Sequence, residues 1–275
     1  MNKLNSPTIY TLIKQLKLIV DETRSINPNL SYFAIFNLYF TINVAKKLLK
    51  ENYFEDNEKV QRLIVIYISH YITVYDKWKM KEEIPSCWKI AFDFSKNKNR
   101  MIIQNLLLGV NAQLNLDLGL ATENSLSIID ENNNIQIILD KDYCVESDLK
   151  KIIKILSEIA LTMDNLLVKS SVFYRYITNF GNDEKKFFNE FTVKSAENGA
   201  WNFAKIYRNG KAENVVVKRD KDICKLGREI ISPSPKLIRL LFLVGGYFEN
   251  KISKKFIQLL IKELDDFVDV EYHAI

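Results

Sequence analysis

Apolar residues recur at three- and four-residue spacing along most of this chain, and that period predicts helices rather than strands. Ile9, Leu12, Ile13, Leu16, Ile19 and Val20 form the inner face of a first helix, with Ser6 as its cap and Pro7 at the first helical position. Asn27-Pro28-Asn29 interrupts the pattern. A second helix follows from about Ser31 to Asn52, and its Tyr32, Phe33, Phe36, Tyr39 and Phe40 suit either core packing or an aromatic wall for an apolar ligand. A third helix, Lys59 to Lys81, carries His70 and a tyrosine stripe, Tyr67, Tyr71 and Tyr75. A short helix around Trp88 to Phe94 precedes the basic loop Lys96 to Arg100.

The stretch Met101 to Leu120, MIIQNLLLGVNAQLNLDLGL, departs from this amphipathic pattern. It is apolar nearly all round, as expected of a helix surrounded by other helices, yet it contains Gln104, Asn105, Asn111, Gln113, Asn115 and Asp117. At about 100° per residue, Gln104, Asn111 and Asn115 fall on one line and Gln113 and Asp117 nearly opposite. Buried amides and carboxyls are unfavourable unless partnered. The polar groups therefore either lock neighbouring helices in register or line a wet pocket. The basic loop lies where a helix N-terminus would attract an anion.

Beyond it, SLSIIDENNNIQIIL (Ser125 to Leu139) reads as a small β-hairpin around a polar turn. Helices are expected again over Ser147 to Lys169 and Asp183 to about Arg208, the latter with Glu197 and Trp201 on one face. Lys211 to Val217 reads as a loop, followed by helices at Asp220 to Ile230, Lys236 to about Phe248 and Ser253 to Val268. No repeat and no Gly-, Ser- or Pro-rich linker divides the sequence. The expectation is a single all-α domain over 1–275, a multi-helix bundle with a buried central helix at about 101–120 and one small β-hairpin near 125–139.

Composition agrees: 8 Gly and 5 Pro are few for 275 residues. The net charge of +5 is scattered along the sequence, which is no nucleic-acid signature. Cys87, Cys144 and Cys224 are far apart and form neither a disulfide framework nor a zinc-spaced pair. The first twenty residues lack the apolar core and cleavage site of a secretion signal, and no uninterrupted apolar run of membrane-spanning length exists. The expected setting is the cytoplasm, with no nucleic-acid partner and no membrane span. The sequence does not indicate an oligomeric state.

The segment IIQNLLLGVNAQLNLDLGLA resembles the signature of a bacterial family, number 5995 among domains of unknown function, which runs close to LQHLLLGMNAHINLDLGIA. Tyr32-Phe33-Ala34, Arg62-Leu63 with Tyr71 and Tyr75, Trp88 with Ala91-Phe92, Asp183-Glu184 and Ala200-Trp201 extend the resemblance over most of the chain. It implies a helical fold and no particular activity. Relatives carry histidine where this chain has Asn105 and Gln113, and different residues at Ile64, His70 and Thr73. Positions eight apart on one helix are about 12 Å apart, too far to share a metal at bonds near ~2 Å. No metal site and no cofactor are therefore expected.

No nucleophile elbow, HExxH or phosphate loop is present. Two functions of different class follow. In one, the chain is a small-molecule enzyme acting without a cofactor, as a cyclase, isomerase or hydrolase, on a largely apolar metabolite. Asp117 and His70 would then be catalytic, and Gln104, Asn105, Asn111, Gln113, Asn115, Tyr71 and Trp201 would bind substrate. In the other, the buried amides only fix helix packing and the protein is a noncatalytic scaffold or binding module.

Overall fold

The computed structural model describes residues 8–129, 135–137, 143–179, 187–209, 212–234 and 236–268. It is an all-α bundle. The chain opens with α1 (Ile9–Ile26) and α2 (Pro28–Leu48), which pack on each other, followed by α3 (Asn57–Lys79) and α4 (Ser86–Ser95). The central helix runs as α5 (Ile102–Ala112), a π-helical turn (Gln113–Asp117) and α6 (Leu118–Leu126). Strands β1 (Ser127–Ile129) and β2 (Ile135–Ile137) pair antiparallel, Ile128 opposite Gln136. Then come α7 (Tyr143–Ser170), α8 (Val172–Asn179), α9 (Phe187–Glu197), a second π-helical turn (Asn198–Phe203), α10 (Ala204–Asn209), α11 (Ala212–Ile231) and α12 (Lys236–Val268).

Every residue from Met101 to Gly119 is buried. Helices α2, α4, α9, α11 and α12 all touch α5, while α3, α9 and α11 reach the π turn behind it. Phe33 of α2 lies so close to Gly109 that a Cβ there would fall 2.4 Å from its ring. The aromatic residues of α2 and α3 are core: Phe33, Tyr71, Tyr75, Trp88 and Phe92 form a continuous ring cluster with centroids 5.1–6.5 Å apart.

Several boundaries differ from the sequence reading. The cap of α1 is Thr8, whose hydroxyl accepts from Thr11 N at 3.2 Å; Ser6 and Pro7 lie outside the described residues. Asn27-Pro28 is no mere break: the Asn27 side chain accepts from Asn29 N at 3.1 Å and Pro28 opens α2. Residues 212–217, read as a loop, belong to α11. The two helices read at the end are one, α12, and α8 was not anticipated. Asp183 and Glu184 lie outside the described residues.

A recurrent device ties the bundle together: carboxylates from one helix accept backbone N–H groups at the start of another. Such N–H groups lack partners within their own helix. Asp148 of α7 takes Glu55 N and Asp56 N, at 2.9 and 3.0 Å, just before α3. Asp220 of α11 takes Ser86 N and Cys87 N of α4, both at 2.8 Å. Asp164 of α7 takes Phe188 N and Asn189 N of α9, at 3.2 and 2.8 Å.

Candidate functional site

The polar groups of the central helix divide into two sets. Gln104, Asn111 and Asn115 face α11 and the second π turn. Gln104 Nε2 donates to the carbonyls of Ile230 and Ile231, at 2.9 and 3.3 Å. Asn111 Nδ2 donates to Ile223 O at 3.0 Å, and its own oxygen accepts from Asn115 Nδ2 at 3.2 Å. Asn115 Oδ1 accepts from Asn198 Nδ2 at 2.9 Å and from the Arg219 guanidinium at 3.3 Å. Arg219 Nε also reaches Asn115 O at 2.9 Å, an acceptor on the π turn. Burial lowers the pKa of Arg219, and its guanidinium lies 5.1 Å from the Phe203 ring centroid.

The two π turns cross in backbone contact. A Cβ on Gly199 would lie 1.8 Å from Leu114 O, so only glycine fits there. Each side-chain oxygen and nitrogen of this row thus has a protein partner, and together they clamp α11 and the second π turn onto the central helix.

The opposite face is different. Gln113 and Asp117 lie four apart in the π turn, which α3 contacts, and Asp117 looks toward α4. Trp88 Nε1 donates to Asp117 Oδ2 at 2.9 Å. Burial, reinforced by the negative charge of Asp220 and only partly offset by the Trp88 bond, pushes Asp117 up to about 8. Its carboxyl is therefore protonated at neutral pH. Tyr67, close enough to feel the Asp117 charge, is raised well above the ordinary phenol range, first by burial and then by that charge. Its hydroxyl and both the oxygen and the nitrogen of the Gln113 amide are buried without a hydrogen-bond partner among the described residues. On α5, Asn105 donates to Met101 O at 3.1 Å while its oxygen is likewise unpartnered. Cys87 is buried near the same place, its thiol pushed up by burial and by Asp220.

The remaining candidates stand apart from this cluster. His70 is partly buried, burial lowers its pKa, and it makes no hydrogen bond with the central helix among the described residues. Its imidazole is therefore neutral at pH 7. Tyr71 contributes a buried ring, 5.6 Å from Trp88, to the aromatic cluster. Trp201 is half-buried on the second π turn. No group of three or more His, Cys, Asp or Glu suited to a metal ion occurs among the described residues.

Sequence reasoning missed the partners. Trp88 and Arg219 complete the two faces, and nothing local in the sequence couples them to Asp117 or Asn115. It also missed Glu249. This buried residue of α12 accepts Ile102 N at 2.7 Å and the Ser171 hydroxyl. The acceptor at the start of the central helix is thus supplied by the chain itself. Burial raises Glu249 to about 7 against these two bonds.

No helix among the described residues is long and apolar enough to cross a membrane. Neither a curated protein nor a solved structure matches the chain. The profile of a family of unknown function, DUF5995, matches residues 9–233, a span that contains the whole central helix and both π turns but ends before α12. The chain belongs to that family.

Proposed function

We propose that the Gln113–Asp117 turn holds the polar end of a small, largely apolar molecule, and that Asp117 transfers a proton on it without a cofactor, as in a cyclase, isomerase or hydrolase. The observation that carries this reading is the unpartnered Gln113 amide, buried on the same π turn as a protonated carboxyl that the unpartnered Tyr67 hydroxyl approaches closely enough to feel its charge. Amide and hydroxyl groups left without partners in an apolar interior are unfavourable by roughly 1–3 kcal/mol each, so a bound polar group would stabilise them. A neutral carboxylic acid with a pKa near the working pH is a suitable general acid, and its conjugate base a suitable general base. Trp88 fixes the orientation of that carboxyl, and the surrounding aromatic cluster excludes water.

Gln104, Asn111 and Asn115 have a different role in this reading. Their hydrogen bonds are complete, which supports the structural function of a register lock. The scaffold reading applies to that row and is the second reading for the whole protein.

Native mass spectrometry of the purified full chain tests the proposal, with Gln113→Leu and Asp117→Asn beside it. A small molecule retained by the parent and lost from Gln113→Leu is the expected result. Parent and variants that all run at the bare protein mass would leave the scaffold reading.

A further inference from the structure

The basic run before the central helix is not part of the site described above. In the fold it forms one wall of a groove of about 790 Å³. Lys96 and Lys98 of that run, Lys79 of α3, and Lys251 and Lys254 of α12 all line it. Three segments distant in sequence thus bring five lysines to one concavity.

The carboxylates nearby do not balance them. Glu22, the carboxylate among the groove's described lining residues, is engaged by Lys79 Nζ at 2.5 Å and by the Tyr75 hydroxyl at 3.2 Å. Asp93 holds Lys96 at 2.7 Å and accepts the Trp78 indole N–H at 3.2 Å. Asp21, in an adjoining depression that Lys254 also lines, pairs with Arg24 at 3.9 Å. Lys251 lies over the Tyr247 ring at 4.7 Å. Lys98 and Lys254 are exposed and form no ion pair among the described residues.

The wall is also pinned in place. Asn27 and Asn29 each donate to Ser95 O at 3.1 Å, and Asn29 donates again to Asn97 O at 3.0 Å. The backbone that carries Lys96 and Lys98 is therefore held before any ligand arrives.

We infer that this groove binds a small polyanion bearing two or more phosphate groups. Its volume falls in the range of small-molecule sites, about 300–1,000 Å³. Converging ammonium groups in a concavity focus positive potential. Lysines supply it as mobile point charges, a common way of holding phosphate oxygens, without the bidentate fork that arginine offers to carboxylate and phosphate alike.

Isothermal titration of the full chain with inorganic tripolyphosphate at low salt tests this, with Lys98→Glu/Lys254→Glu as the groove variant. Lys221→Glu/Lys225→Glu on α11 makes the same change in net charge elsewhere. The expected result is saturable 1:1 binding, weakened about tenfold in the groove variant and little changed in the control. Parallel titrations with ATP and inositol hexakisphosphate identify which phosphate source the groove prefers. Absence of saturable binding, equal loss in both variants, or binding to anionic vesicles but not to tripolyphosphate would each overturn the inference. Unliganded melting curves of both variants confirm that these exposed substitutions leave the fold intact.

Discussion

The indole of Trp88 donates its N–H to Asp117 Oδ2 at 2.9 Å, and both residues are buried, Trp88 completely. This bond joins α4 to the π turn of the central helix. It stabilises the charged form of Asp117, yet burial outweighs it and the carboxyl stays neutral at pH 7.

Asp117 therefore makes stability depend on pH in a specific direction. Below about pH 4 the carboxyl is neutral in folded and unfolded chains alike. From there to about 8 the unfolded chain is ionised while the folded one keeps its proton, so this group destabilises the fold progressively as pH rises. Above about 8 the loss stops growing. Asp117→Asn lacks this dependence, so its melting temperature should gain on the parent's between pH 4 and 8. Parallel melting curves across that range would show Asp117 to be ionised in the fold.

Trp88→Phe keeps an aromatic ring and removes the donor. The expected loss is about 1–3 kcal/mol in urea denaturation, with the Asp117 carboxyl shifted further upward. Infrared difference spectra against Asp117→Asn follow that carboxyl directly. A C=O band that titrates at lower pH in the variant would contradict the role given to the indole.

Replacing Gln113 by leucine substitutes apolar atoms for an amide with no partner. Stability should rise by roughly 1–3 kcal/mol while binding at the turn is lost. Asn115→Leu offers the contrast, because it strands Asn198 and Arg219 and should be destabilising. If both leucine variants lose stability equally, the two faces of the helix do not differ in the way their hydrogen bonds suggest.

Gly199→Ala and Gly227→Ala separate close approach from helix propensity. Alanine in a helix normally gains about 0.5–1 kcal/mol over glycine. At Gly227 the nearest atoms to a new Cβ are 3.5 Å away, so that gain should appear. At Gly199 the Cβ would strike the Leu114 carbonyl at 1.8 Å, and backbone cannot swing aside. A loss above ~3 kcal/mol is expected by denaturant titration, and a neutral result would mean that the π turns can part.

Glu249→Gln retains an acceptor, whereas Glu249→Ala leaves Ile102 N and the Ser171 hydroxyl without one. The alanine variant should lose about 2–4 kcal/mol at pH 7 and the glutamine variant distinctly less. Hydrogen exchange at Ile102 reads the cap locally. Unchanged protection there in Glu249→Ala would rule it out.

Much of this architecture was legible in the sequence because helix periodicity is a local signal. The burial of Met101 to Gly119 and the paired strands after it were legible from local pattern. What spacing could not decide is which polar line would be satisfied. Asn111 and Asn115 find Ile223, Asn198 and Arg219 more than eighty residues away, while Gln113 meets no partner. Nor does periodicity reveal a π turn, which changes the hydrogen-bond register without changing composition. Glu249 was invisible for the same reason as Arg219: a charged residue on a helix reads as solvated until its tertiary neighbour is known.

The cap at Ile102 gives α12 a place in the order of assembly. Glu249 lies 147 residues downstream of the amide it accepts, so a growing polypeptide reaches the middle of the bundle long before the acceptor has been synthesised. Until then the first turn of the most deeply enclosed helix must borrow water, and the Ser171 hydroxyl with it. Contacts of such long separation close slowly, and α12 can cap the central helix only once the chain has been made as far as Glu249.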